Sequence, residues 1–171
     1  MKKYIFAACL GLLSLGFTSC DVETDEEAGG TQVEKMAGFW DVTCDAVNEN
    51  GEIVYEDPNE LGVFSLMTYN TAANTANEMW IDDMGKFWAF KMKVDVDYAA
   101  RTFSCAEKDY DADGSGKAVI TNGRILEKAA KNVHGMPVDS IVFNITFSDD
   151  DNGLIYRIHG KRYWGTSPDV E

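Results

Sequence analysis

The sequence predicts an all-β protein, with about eight strands in an antiparallel up-and-down barrel. Apolar residues recur with period two rather than 3.6 over most of the chain, the spacing of strands with one buried and one solvated face. Turn dipeptides suited to positive φ fall between these stretches at hairpin intervals. No internal repeat of roughly 34–50 residues is visible, which sets aside solenoids and propellers. Sequential strands joined by short turns bury their apolar faces and lose their edges when the sheet closes on itself.

The first strand is the clearest, with Trp40, Val42, Cys44 and Ala46 alternating with Asp41, Thr43 and Asp45. Asn50-Gly51 then turns the chain, and residues 63–70 and 78–82 form the next two strands. Asp83-Met84-Gly85 is a three-residue turn into a fourth, where Phe90, Met92, Val94 and Val96 alternate with Lys91, Lys93, Asp95 and Asp97. Residues 101–105 give a fifth strand, Asp113-Gly114 a turn, and residues 117–126 a sixth, within which Asn122-Gly123 is either another hairpin or a bulge. Residues 129–137 read as the longest irregular stretch, with a helical turn over 127–131. Ile141, Phe143, Ile145 and Phe147 mark the seventh strand; Asn152-Gly153 turns into the eighth, over residues 154–164.

The N-terminus has a different character. Met1-Lys2-Lys3 is positive, and residues 4–17 are apolar or small throughout. That run is shorter than the ~20 residues of a spanning helix and fits the apolar core of an export signal. Phe17-Thr18-Ser19-Cys20 resembles the lipobox of bacterial lipoproteins. The resemblance implies removal of residues 1–19 and a diacylglycerol on the Cys20 thiol. Acyl chains at ~0.8 kcal/mol per buried CH₂ would anchor the mature protein without spanning the membrane. Residues 20–33 are then the lipidated cysteine and an acidic tether too poor in apolar residues to fold. The acidic run resembles the surface-export signal of Bacteroidetes lipoproteins, which implies lipid anchoring to the outer membrane with exposure at the cell surface. A plain solvated linker is the alternative reading.

Residues 34–167 remain for the barrel. Without Lys2 and Lys3 the mature chain has 13 basic and 29 acidic side chains, a net charge of −16. Such a surface argues against nucleic acid, which rewards basic patches. Cys44 and Cys105 point to the same face of their strands in an oxidising compartment. They form either a disulfide or two buried thiols acting as small apolar groups.

Gly38-Phe39-Trp40-Asp41-Val42 resembles the Gly-x-Trp start of a lipocalin's first strand. In that superfamily a basic residue of the last strand packs over the Trp, a role open here to Arg157, Lys161 and Arg162. An ordered set of further stretches resembles the Bacteroidetes family called "lipid-binding putative hydrolase". The set comprises residues 68–72, 79–83, 119–123, 138–141, 147–150 and His159-Gly160-Lys161-Arg162. Gly160-Lys161-Arg162-Tyr163 departs from that family's Gly-His-Arg-Arg tail. The resemblance implies a calycin-like barrel and a lipid-like ligand.

An eight-stranded interior is just wide enough to be filled by side chains or to hold one small ligand. The residues assigned to a ligand pocket are Trp40, Val42, Tyr69, Trp88, Phe90, Met92, Val94, Phe103, Phe143, Phe147 and Tyr156. They line either a hollow or a solid core. No catalytic residue can be named. The chain has only His134, in a loop, and His159, on an exterior face, and no Gly-x-Ser-x-Gly elbow. Carboxylate pairs sit mostly in turns or on polar faces. Asp109-Tyr110-Asp111-Ala112-Asp113-Gly114 matches half of a calcium loop, but Ile120 stands where the bidentate Glu is due. It reads as an acidic hairpin. No cofactor or metal is expected, and the oligomeric state is not legible. The expected partners are an apolar small molecule inside the barrel and a membrane beneath the acyl chains. A hydrolase in the same barrel, or a non-catalytic module binding glycan or protein outside it, are the alternatives.

Overall fold

The computed structural model describes residues 30–163. The export segment, Cys20 and most of the acidic tether lie outside the described residues. The strands are β1 (Gly38–Val47), β2 (Ile53–Glu56), β3 (Phe64–Asn70), β4 (Glu78–Asp82), β5 (Lys91–Asp97), β6 (Thr102–Asp109), β7 (Lys117–Lys131), β8 (Pro137–Phe147) and β9 (Ile155–Arg162). All pairings are antiparallel, and β1 pairs with β9 to close an eight-stranded barrel.

The ninth strand does not add a position to the ring. One edge of β1 is shared, with Gly38–Val42 facing β3 and Asp45–Val47 facing β2. The other edge runs along β9 from Trp40 to Val47. So β2 and β3 are two halves of one barrel position. All four side chains of β2 are exposed, which is why its short apolar run carries no alternation to read.

Residues 127–131 are strand, not a helical turn. Two register shifts, between Thr121 and Arg124 and between Leu126 and Ala130, interrupt the β7–β8 ladder, and each resets the inward parity. Asn122 and Lys128 take positive φ at these points. Asn122-Gly123 is therefore a bulge. The turn shrinks to residues 132–136, where Asn132 Oδ1 accepts from the amides of His134 and Met136.

The inward faces form one core. Trp40, Phe90 and Phe143 are 0% exposed, and Val42, Met92, Val94, Cys44 and Cys105 1%. A void wide enough for a water would expose the side chains around it, so the lumen is filled. Cys44 and Cys105 are free thiols, not a disulfide. β1 and β6 stand four positions apart in a ring of eight, so the two cysteines share the inward face from opposite walls. At the seam, a Cβ on Gly160 would meet the Asp41 carbonyl oxygen at 2.0 Å. Only glycine lets β9 approach β1 this closely.

Candidate functional site

The two ends of the barrel are closed by different means. At one end a 3-10 turn (Glu34–Met36) brings the buried Val33 and Met36 against the core. Trp40 Nε1 donates to Thr68 Oγ1 at 2.8 Å, and Thr68 Oγ1 donates to the Met36 carbonyl at 2.6 Å. Of the three basic candidates, Arg162 covers the Trp40 ring, 4.5 Å from its centroid. Its guanidinium also donates to the carbonyls of Ala37 and Lys35 and pairs with Asp139 at 3.4 Å. This end is locked by backbone and side chain together.

The other end is closed by a strap, residues 83–89, between β4 and β5. Asp83 is fully buried, and its carboxylate holds the strap: Oδ1 accepts from Gly85 N at 2.9 Å, Oδ2 from Phe87 N at 3.0 Å and Trp88 N at 2.7 Å. Met84 and Ala89 adopt positive φ on either side, a conformation non-glycine residues enter at a cost. Phe87 and Trp88 are thereby laid over the barrel mouth. Trp88 stacks on Phe147 at 4.5 Å and 7°, and Phe87 meets Tyr156 edge-on at 5.1 Å. Phe64, Phe90 and Tyr110 complete the cluster.

The rim is polar and acidic. Asp149 Oδ2 accepts from Tyr110 Oη at 2.8 Å and Trp88 Nε1 at 3.3 Å. Burial, and then Asp149, push the Tyr110 phenol above its usual range. Burial, and then Asp150, do the same to Tyr156. Both phenols are neutral donors at physiological pH.

Of the residues read as pocket-lining, Trp88, Phe90, Phe147 and Tyr156 converge at this mouth. Val42, Met92, Val94, Phe103 and Phe143 pack deeper in the barrel, and Trp40 sits at the far end. Tyr69 is a correction. It lies on the outer wall, donates to Asp82 Oδ2 at 3.1 Å, and has Lys91 Nζ 5.8 Å from its ring centroid. Its neighbour Thr68 takes the inward place because the buried Trp40 N–H needs an acceptor there. Asp83, Phe87 and Tyr110 were not anticipated. Asp83 and Tyr110 look like turn chemistry in the sequence, and Phe87 lies in a loop with no periodicity to orient it.

The outer wall carries the remaining polar groups. His159 Nε2 stands 3.0 Å from Asp45 Oδ2 and 3.4 Å from Thr43 Oγ1. A hydroxyl–base–carboxylate relay uses opposite ring nitrogens, whereas here one nitrogen faces both groups. His134 lies in the β7–β8 turn. Residues 110–116 connect β6 to β7, with Asp111 Oδ1 accepting from Ser115 N. Among the described residues, no three His, Cys, Asp or Glu side chains gather as a metal site.

A family model described as "lipid-binding putative hydrolase" matches residues 25–167. No curated protein matches the chain.

Proposed function

Since the chain belongs to the lipid-binding putative hydrolase family, we propose that its barrel takes an acyl chain or similar apolar molecule through the mouth beneath the 83–89 strap. The same reading makes it a lipoprotein held on the outer membrane by acyl groups at Cys20, with the barrel displayed at the cell surface. The observation that carries the ligand reading is the closure of this mouth by stacked aromatic rings on a loop. Phe87 and Trp88 are held by the Asp83 carboxylate, by aromatic contacts and by one indole hydrogen bond to Asp149 at the rim. An apolar guest entering there exchanges ring–ring contacts for ring–acyl contacts of similar area, so displacement costs little. Met79 and Met92 below are adaptable liners. Asp149 and Asp150 at the rim disfavour a carboxylate head group, so the guest carries a neutral or cationic head.

The filled lumen favours a second reading, a solid barrel that binds only on its exterior. Native mass spectrometry of the folded domain, incubated with a panel of neutral acyl lipids, separates the two. The carrier reading expects a retained one-to-one adduct, with faster loading in Trp88→Ala, which loosens the strap. Absence of any adduct in both proteins would overturn it in favour of the exterior module.

A further inference from the structure

The two ends of the barrel differ in charge. The connections at the mouth (residues 48–52, 83–90, 110–116 and 148–154) hold eight acidic residues and one lysine. Those at the locked end (residues 71–77, 98–101 and 132–136) hold no acidic residue and one arginine. On a chain with 29 acidic side chains, the locked end is the one that an anionic or zwitterionic surface does not repel.

The β7–β8 hairpin stands out from this end. β6 accompanies β7 only to Arg124, and β9 accompanies β8 only from Ser140 onward, yet the β7–β8 ladder runs on to Lys131 and Pro137. Its tip exposes two large apolar side chains, Val133 at 59% and Met136 at 45%. The hydrogen bonds to Asn132 Oδ1 fix the turn that presents them. Lys128 and Lys131 flank the tip and are exposed. The nearby acids are paired, Glu127 with Arg101 at 3.2 Å and Asp139 with Arg162 at 3.4 Å. An apolar tip framed by lysines suits a head-group layer, where apolar groups enter the acyl boundary and lysine stems lie along it.

The chain enters the barrel at the same end. Gln32 N donates to Asn74 Oδ1 at 3.0 Å in the β3–β4 connection, and Lys35 N to Tyr98 Oη at 3.4 Å in the β5–β6 connection. Gln32 follows Cys20 by twelve positions, a span of at most ~40 Å.

We propose that the locked end rests on a lipid bilayer, with the Val133–Met136 tip among the head groups and the mouth turned away. The proposal rests on the lipoprotein reading above, which puts the anchor at Cys20. A guest then reaches the mouth from the aqueous side rather than from the bilayer beneath.

The test uses residues 20–171 with Cys20→Ser and an N-terminal hexahistidine, held on phosphatidylcholine vesicles that contain a nickel-chelating lipid. Attachment is thus supplied without acylation, and mass spectrometry of Cys20 in the exported protein decides the acylation separately. Met136→Cys or, at the mouth, Asp151→Cys carries an environment-sensitive fluorophore. Cys44 and Cys105, each 1% exposed, are shielded from the reagent. At residue 136 the emission shifts to the blue on vesicles and nitroxide lipids quench it, whereas at residue 151 neither occurs. Adding Val133→Asp abolishes both effects, with circular dichroism unchanged because Val133 is exposed. No shift or quenching at residue 136 on vesicles, or equal quenching at residue 151, would overturn the proposal. A blue shift without vesicles that grows with protein concentration would assign the tip to a second copy of the chain and overturn it as well.

Discussion

At the scale of single residues, the locked end shows how one register step assigns roles. Trp40 faces Arg162 across the β1–β9 ladder, so Arg162, rather than Arg157 or Lys161, reaches its ring. Arg162→Ala removes a cation–π contact worth ~0.5–2 kcal/mol and donors to two main-chain carbonyls at ~1 kcal/mol each. A loss of about 2–3 kcal/mol is expected, read as a lower urea midpoint with unchanged m-value. Gly-x-Trp located the first strand in the sequence. It did not select the cation, because that choice depends on pairing between residues 122 positions apart. Thr68 and Tyr69 teach the same point. The aromatic residue looks like the core residue, yet the hydroxyl goes inward because Trp40 requires an acceptor.

At the scale of elements, strands with uninterrupted alternation were legible almost to the residue. β4 runs over Glu78–Asp82 and β8 includes every alternating position from Ile141 to Phe147. The sequence shows β7 only as far as Leu126 because its two bulges break the period, and β2 leaves no pattern because it buries nothing. The β1–β9 seam gives the sharpest prediction at this scale. The side chain introduced by Gly160→Ala would meet backbone atoms on β1, the Asp41 oxygen at 2.0 Å and the Val42 Cα at 2.6 Å. Main chain within a ladder cannot step aside, so a destabilisation of about 3 kcal/mol or more is expected. Thermal unfolding checks it. A melting temperature within a few degrees of wild type would mean the strands can part without loss.

For the whole molecule, burial of ionisable groups in one filled core sets the alkaline limit of stability. Burial, then the nearby Asp45 and Asp57, push the Cys44 thiol from 9.0 up to about 12. Tyr156 is also held above its ordinary value of 10.0, first by burial and then by Asp150. Above these ordinary values the unfolded chain releases protons that the folded barrel retains. The unfolded state then binds fewer protons, and stability falls as pH rises. A plateau to about pH 9 is expected, followed by a steady decline towards pH 12. Urea midpoints across this range measure it, and Cys44→Ala should flatten the first part of the slope. A midpoint still level at pH 11 would show that neither group is protected.

Alternation and turn chemistry in the sequence determined the number of barrel strands, their antiparallel order and most inward residues, because a period of two needs only near neighbours to be expressed. The filled lumen, the two unpaired thiols, the guanidinium over Trp40 and the strap over the mouth were decided by tertiary structure alone. Each depends on which side chains meet across a closed ring, and closure joins residues that the linear pattern leaves more than a hundred positions apart.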